Sequence, residues 1–368
     1  MEVEYSGISL VPDEIKQLWI NRVASVIDSG FYIGGEPVER FEKSWAKACK
    51  AQFAIGVGNG FDGLVLALKA LGIGAGHRIA IPAHTFIATW NAAIAVGATP
   101  IGVDIDQDGL LDLEKFHAIA SEVDAVIPVH MHGCAVNMSS IQEICTDSRL
   151  KSSIKIIEDA SQAHGAVSPD GSTLGEHSDM VVYSLYPTKN LGGIGDCGVI
   201  TTNKVDLYDH LRSLRNYGSA GGDKYLHLEL GFNSRLDTIQ ASVLDENLKM
   251  LSSWNSHRRL LSELYITELS DWIEVLQSSR SDSVRHHLCV LTPKRDDLRK
   301  FLFSKGVRTE IHYPNVAGIE ASRFLKLEAR FPKSEALASQ TLSLPLSQWH
   351  TEEQIKYVTF QMKNWMNH

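Results

Sequence analysis

Between residues 50 and 205 the chain alternates two patterns of hydrophobic positions. Seven short apolar runs have strand length and are rich in β-branched residues: QFAIGVG (52–58), RIAIPA (78–83), TPIGVDI (99–105), AVIPVH (125–130), KIIEDA (155–160), MVVYSL (180–185) and GVITTN (198–203). Between several of them lie DGLVLALKALG (62–72), FIATWNAAIAVG (86–97), LEKFHAIASEV (113–123) and MSSIQEICTDSR (138–149), whose apolar residues recur at helical spacing. Alternating strand and helix predicts an α/β unit with a mostly parallel sheet covered by helices on both faces. In such a sheet a ligand sits at the carboxyl ends of the strands. After about residue 235 the pattern changes. Residues 235–270 read as one long helical stretch, and HHLCVLT (286–292), DDLRKFLFSKG (296–306) and VRTEIHYP (307–314) follow as strand, helix and strand. The expected organisation is a large domain over 1–245 and a smaller α+β C-terminal domain over 246–368.

Bulk properties remove several function classes. The 368 residues are 44% hydrophobic and 21% charged, an ordinary globular composition. A net charge of −9 is the wrong sign for a nucleic-acid footprint. Five scattered cysteines without a CxxC pair suit neither a disulfide framework nor a zinc site, and fit a reducing cytosol. The N-terminus shows no signal-peptide pattern, and no apolar run reaches membrane-spanning length. A cytoplasmic protein is expected.

Candidate chemistry gathers at strand ends. Gly58-Asn59-Gly60-Phe61-Asp62-Gly63 matches GxGxxG between a strand and a helix. A dinucleotide site asks for an acidic residue about 20 positions on, and RIAIPAHTFIATW supplies none. A glycine-rich turn feeding a helix N-terminus still cradles a phosphate, through free backbone N–H groups and the helix dipole. Asp159 closes an apolar strand, a costly place for a carboxylate without a cationic partner, unless it or Ser161 caps a helix. Gln162 follows it. Lys189 sits on a strand connection rich in glycine, five residues after Ser184, and Phe86 offers a plate for a flat ring. Pyridoxal phosphate asks for this set: a lysine for its aldehyde, a carboxylate for its ring nitrogen, and a phosphate cradle. His130, His132 and Cys134 alternate on a strand end, but lack a fourth ligand, so no metal is expected. Arg285-His286-His287 reads as a solvated strand edge.

GNGFDGL, TFIATWNA, YPTKNLGGIGDCG and RNYGSAGGDKYLHLELGFNSRLDTIQA together resemble the fold-type-I, pyridoxal-phosphate-dependent sugar aminotransferases of the DegT/DnrJ/EryC1/StrS group. Within it the segments look most like enzymes that aminate C3 of nucleotide-linked 3-keto-6-deoxyhexoses. The C4-aminating branch tends toward SSGTAAL at the cradle. The resemblance implies that Lys189 holds the cofactor and shuttles a proton, Asp159 faces the pyridine nitrogen, and Gln162 reaches the ring hydroxyl. It implies that Phe86 stacks on the ring, and that Ser184 and the backbone amides of Gly60, Phe61 and Asp62 bind the phosphate. Asn233 would reach that phosphate from a neighbouring subunit, making a homodimer with a shared site, with Arg235 beside it. Tyr183, Tyr217 and Tyr313 would face the substrate. The implied reaction moves an amine from L-glutamate to a thymidine-linked keto sugar, in deoxyamino-sugar biosynthesis such as that of lipopolysaccharide O-antigen. The C4 isomer of the reaction and a non-catalytic regulator are the alternatives. A histidine in place of Lys189 would mark a sugar dehydratase relative, and Lys189 is present. Thr188 stands where glycine is common, and HMHGCAVNM (130–138) and NVAGIEASRF (315–324) depart from the group's pattern.

Overall fold

The computed structural model describes residues 1–150, 152–219, 225–326 and 328–367. Each apolar run between 52 and 203 becomes a strand: β1 (Phe53–Val57), β2 (Arg78–Pro82), β3 (Thr99–Val103), β4 (Ala125–Val126), β5 (Lys155–Asp159), β6 (Met180–Ser184) and β7 (Gly198–Thr202). They form one sheet in the order β1-β7-β6-β5-β4-β2-β3. All neighbours are parallel except around β7, which runs antiparallel to both β1 and β6. Register places Ser184 opposite Gly198, and Asp159 opposite Val182. The carboxyl ends of β1, β5 and β6 therefore lie side by side with the start of β7.

Alternation along the strands fills two cores. Val182 and Ile200 join Leu64, Leu68, Ile79 and Trp90 on one face, whereas Val181, Tyr183 and Val199 join Phe41, Trp45 and Leu244 on the other. Helices Gly60–Ala70 and Ile87–Ala95 cover the first face, and Glu36–Ala48 and Thr238–Leu248 the second. Both faces are apolar, which is why these strands read as nearly continuous hydrophobic runs.

The C-terminal region departs from expectation in two places. Residues 235–270 do not form one helix. They break at Lys249 and Met250 into Thr238–Leu248 and Leu251–Leu269, where amides bond three residues back, to Glu246 and Asn247. The break lets Leu244 pack into the large-sheet core while Leu261, Tyr265 and Leu269 pack into another. That second core lies against a small antiparallel sheet, β10-β9-β8, of β8 (Glu274–Val275), β9 (Leu288–Leu291) and β10 (Thr341–Leu344). VRTEIHYP is not one of its strands. Val307 and Glu310 make only isolated bridges, to Val3 and Ser343, because the chain leaves the sheet edge toward the cavity described below. Among the described residues no helix is long and apolar enough to cross a membrane.

Candidate active site

A cavity of about 570 Å³ opens at the carboxyl ends of β5 and β6, and its lining includes Gly60, Phe61, Phe86, Asp159, Gln162, Ser184, Lys189 and Tyr313. Eight residues singled out between Gly60 and Tyr313 thus line one cavity. Helix Gly60–Ala70 points its first turn at the cavity. The Gly60 and Phe61 amides have no acceptor among the described residues, the ordinary state of a helix start and a ready anion site. The Asp62 amide differs from expectation. It donates to Oδ1 of Asn59, the helix N-cap, at 2.8 Å, and the Asp62 carboxylate accepts from Ser234 Oγ at 2.6 Å. Asn59 is a residue type that caps helices, so the cradle comes down to two free amides.

Ser184 lies directly against that turn. A Cβ added at Gly60 would meet the Ser184 Cβ at 2.9 Å, so only glycine lets the two backbones approach this closely. The Ser184 carbonyl in turn accepts from His164 Nε2 at 2.8 Å. A cradle of this size, with two free N–H donors and a hydroxyl, fits a phosphate ester.

Asp159 is 5% exposed. Its Oδ2 accepts from Thr89 Oγ1 at 2.9 Å, and its Oδ1 accepts from the Ser161 amide at 3.2 Å. No helix follows, so Asp159 is no helix cap. Thr89 escaped the sequence reading, although it lies in the quoted TFIATW turn on the helix that Phe86 caps. Lys189 sits across the cavity with its amide donating to the Tyr186 carbonyl at 2.9 Å. Burial pulls its ammonium down to about 8, while the negative charge of Asp159 pulls the other way. An amine with that pKa is neutral in useful amounts near physiological pH and can act as a nucleophile.

Gln162 joins two walls. Its Oε1 accepts from the His132 amide at 2.7 Å and its Nε2 donates to Tyr313 Oη at 3.0 Å. The Tyr313 ring lies 5.5 Å from that of Phe86. Burial pushes the Tyr313 phenol up, so it stays protonated.

Four expected residues lie elsewhere. Tyr183 faces away from Ser184 into the second core, 5.0 Å edge-on from Trp45, and does not reach the cavity. Arg235 lines a separate cavity of about 730 Å³ together with Arg212, Arg215 and Asn216. Its guanidinium sits 5.9 Å over the ring of Tyr217, and Asn233 is exposed beside it, bridged to Asn216. Residues 220–224 of the RNYGSAGGDKYLH segment lie outside the described residues.

Two histidine readings change. Arg285 and His286 are no solvated edge: they are 3% and 4% exposed, because the Val284 and His286 amides bond to Gly133 and His132. His286 and His287 line the cavity, and so does His312. His130, His132 and Cys134 do not alternate along a strand, since Met131–Gly133 form a 3-10 turn. His130 Nε2 pairs with Glu158 at 2.8 Å.

Comparisons with known proteins agree with this geometry. The model of the DegT/DnrJ/EryC1/StrS aminotransferase family matches residues 13–363. The chain is 38% identical to dTDP-3-amino-3,4,6-trideoxy-alpha-D-glucose transaminase of Streptomyces venezuelae, over 99% of this chain and 96% of that one. It is 37% identical to dTDP-3-amino-3,6-dideoxy-alpha-D-galactopyranose transaminase of Aneurinibacillus thermoaerophilus, over 94% and 93%. The crystal structure of DesV from S. venezuelae in complex with a ketimine intermediate superposes with a TM-score of 0.94, at 36% identity, covering 100% of this chain and 99% of that one. With its lysine, buried carboxylate and phosphate cradle in one cavity, the chain belongs to the DegT/DnrJ/EryC1/StrS aminotransferase family and is a pyridoxal-phosphate-dependent transaminase of the fold-type-I class.

Proposed function

We propose that the protein moves an amino group from L-glutamate to C3 of a nucleotide-linked, thymidine-type 3-keto-6-deoxyhexose. The observation that carries this reading is likeness along nearly the whole chain to two transaminases named for dTDP-3-amino sugars. Bound pyridoxal phosphate supplies an electron sink that makes a substrate C–H bond acidic. The chain's own residues do the rest. The Gly60 and Phe61 amides and the Ser184 hydroxyl bind the phosphate, and Phe86 lies on the ring. Asp159, held by Thr89 and the Ser161 amide, keeps the ring nitrogen protonated. Gln162, held by the His132 amide and Tyr313 Oη, would offer its remaining Nε2–H to the ring hydroxyl. Lys189 Nζ would anchor the group and take up and return the proton of the substrate's amine-bearing carbon.

The test is turnover against a panel of nucleotide-linked sugars in the reverse half-reaction. Loaded enzyme should lose its yellow colour when mixed with a dTDP-3-amino-6-deoxyhexose in the absence of 2-oxoglutarate. The geometry explains why the position matters: the reacting carbon has to stand about 3–3.5 Å from its partner, and a misplacement near 1 Å costs on the order of a hundredfold. Faster bleaching by the 4-amino isomer would overturn the C3 assignment and leave the transaminase standing. No bleaching by either isomer would overturn the thymidine-linked acceptor.

The same proposal includes a homodimer. Neither Asn233 nor Arg235 lines the Lys189 cavity of its own chain; Arg235 instead shares a cavity with Ile33, which with Phe31 and Tyr32 forms an exposed apolar run suited to an interface. Asn233 of a second copy would complete the phosphate cradle. Asn233→Ala should weaken cofactor retention, and mixing it with Lys189→Ala protein should restore activity, because a mixed dimer holds one intact site. No rescue after demonstrated subunit exchange would count against a shared site.

A further inference from the structure

Part of the cavity wall comes from residues that neither the lysine loop nor the cradle supplies: His286, His287 and His312. His287 is the centre of this group. Its ring lies 4.0 Å from that of His312, nearly parallel at 14°, and 4.0 Å from that of His286. Its Nδ1 stands 2.7 Å from the hydroxyl of Tyr5, which arrives from the N-terminal segment, 282 residues away in sequence. Its Nε2 has no partner among the described residues, on a side chain that lines the cavity.

A neutral imidazole has one donating and one accepting nitrogen, and the partner of one decides the role of the other. Burial and the neighbouring His312 hold the His287 imidazolium well below its usual range, so the ring is neutral. Burial lifts the Tyr5 phenol well above its own range, so its oxygen keeps its hydrogen. That hydrogen has three candidate acceptors, His287 Nδ1 at 2.7 Å, His312 Nδ1 at 3.4 Å and the Ser343 hydroxyl. His312 Nδ1 is already served by Ser343 Oγ at 2.9 Å. The shorter contact takes it. With Nδ1 accepting, the proton of His287 has to sit on Nε2.

We infer that Tyr5 is a positioning residue, which fixes His287 so that it presents an Nε2–H donor to a neutral oxygen of the sugar in the acceptor nucleotide. An uncharged donor suits a hydroxyl or carbonyl oxygen; a carboxylate of the amino donor gains more from a cation. This inference rests on the sugar-nucleotide reading above and adds a specificity element to it.

Two measurements test it. In cofactor-free protein labelled with ¹⁵N-histidine, NMR should show His287 protonated at Nε2 and bare at Nδ1, and Tyr5→Phe should release a mixture of tautomers. An Nδ1–H form in the parent protein overturns the pairing. In the loaded enzyme the two half-reactions are followed separately. Tyr5→Phe should raise KM for the amino-sugar nucleotide about tenfold, the worth of one well-made hydrogen bond, with kcat held within about twofold. The glutamate half-reaction should be unchanged. His287→Gln keeps a side-chain N–H near the position of Nε2, and in that background Tyr5→Phe should add nothing. Equal losses in both halves, a loss confined to glutamate, no loss at all, or additive losses in the double variant each overturn the inference. If the parent enzyme runs neither half-reaction, the functional reading has failed instead, and the NMR result still decides the Tyr5–His287 pairing.

Discussion

Lys189→Ala protein should be colourless or only loosely loaded and should lose more than about 10⁴-fold in turnover, since it removes both the anchor of the cofactor and the group that carries the proton. The parent protein should be yellow, and borohydride should bleach it while fixing the cofactor to one peptide, the one holding Lys189. A label on another lysine overturns the assignment. The pH dependence follows from burial. The lysine's ordinary value is 10.5, and the cavity lowers it to about 8. The neutral amine therefore becomes abundant as pH rises through about 8, rather than through 10.5. Reloading of cofactor-free protein should accelerate over that window and level off above it. An acceleration centred near 10.5 would mean that the lysine is solvated.

Asp159→Asn should fold normally, because its one amide oxygen can still accept from the Ser161 amide while its NH2 group donates to Thr89 Oγ1, a hydroxyl that can also accept. Its turnover should nevertheless fall by about a hundredfold to a thousandfold, the range seen when one fixed charge or donor aimed at the reacting centre is removed. The charge is what matters: a neutral amide cannot hold a proton on the ring nitrogen, and without that proton the ring accepts electrons poorly. Circular dichroism and cofactor content should stay near those of the parent. Near-normal turnover would reduce Asp159 to a structural acceptor for Thr89.

The sheet and the heart of the site were legible because each key residue sits at the end of a run whose period betrays it. Asp159 closes β5, Ser184 closes β6, and Gly60 opens the helix after β1. Topology then brings them together without further information. Three errors have physical sources. The resemblance points to Tyr183 as a pocket residue, yet strand alternation puts it on the face opposite Ser184. The glycine-rich motif suggests a free Asp62 amide, although Asn59 three residues earlier is a natural cap. VRTEIHYP has β-branched composition but serves as a link, while TLSL (341–344) takes the strand position. The histidine wall was not legible in the same way. His286, His287 and His312 carry no periodic signal, and their meeting is set by long-range packing of the small sheet against the Met131–Gly133 turn.

The tie between Val3 and Val307, reinforced by the Glu4 carbonyl accepting from His350, has a consequence for how the protein is made. On the ribosome Val3 and Glu4 emerge with nothing to bind, since Val307 and His350 are encoded more than 300 positions later. The seven-stranded sheet can assemble from the nascent chain as soon as residue 202 is clear of the exit tunnel, and its contacts are comparatively local. The small sheet cannot, because β10 ends only at Leu344. Late, long-range contacts of this kind slow the final stage of folding. The half that carries the Gly60 turn is thus able to form during translation, whereas the small sheet beside the histidine wall must wait for β10.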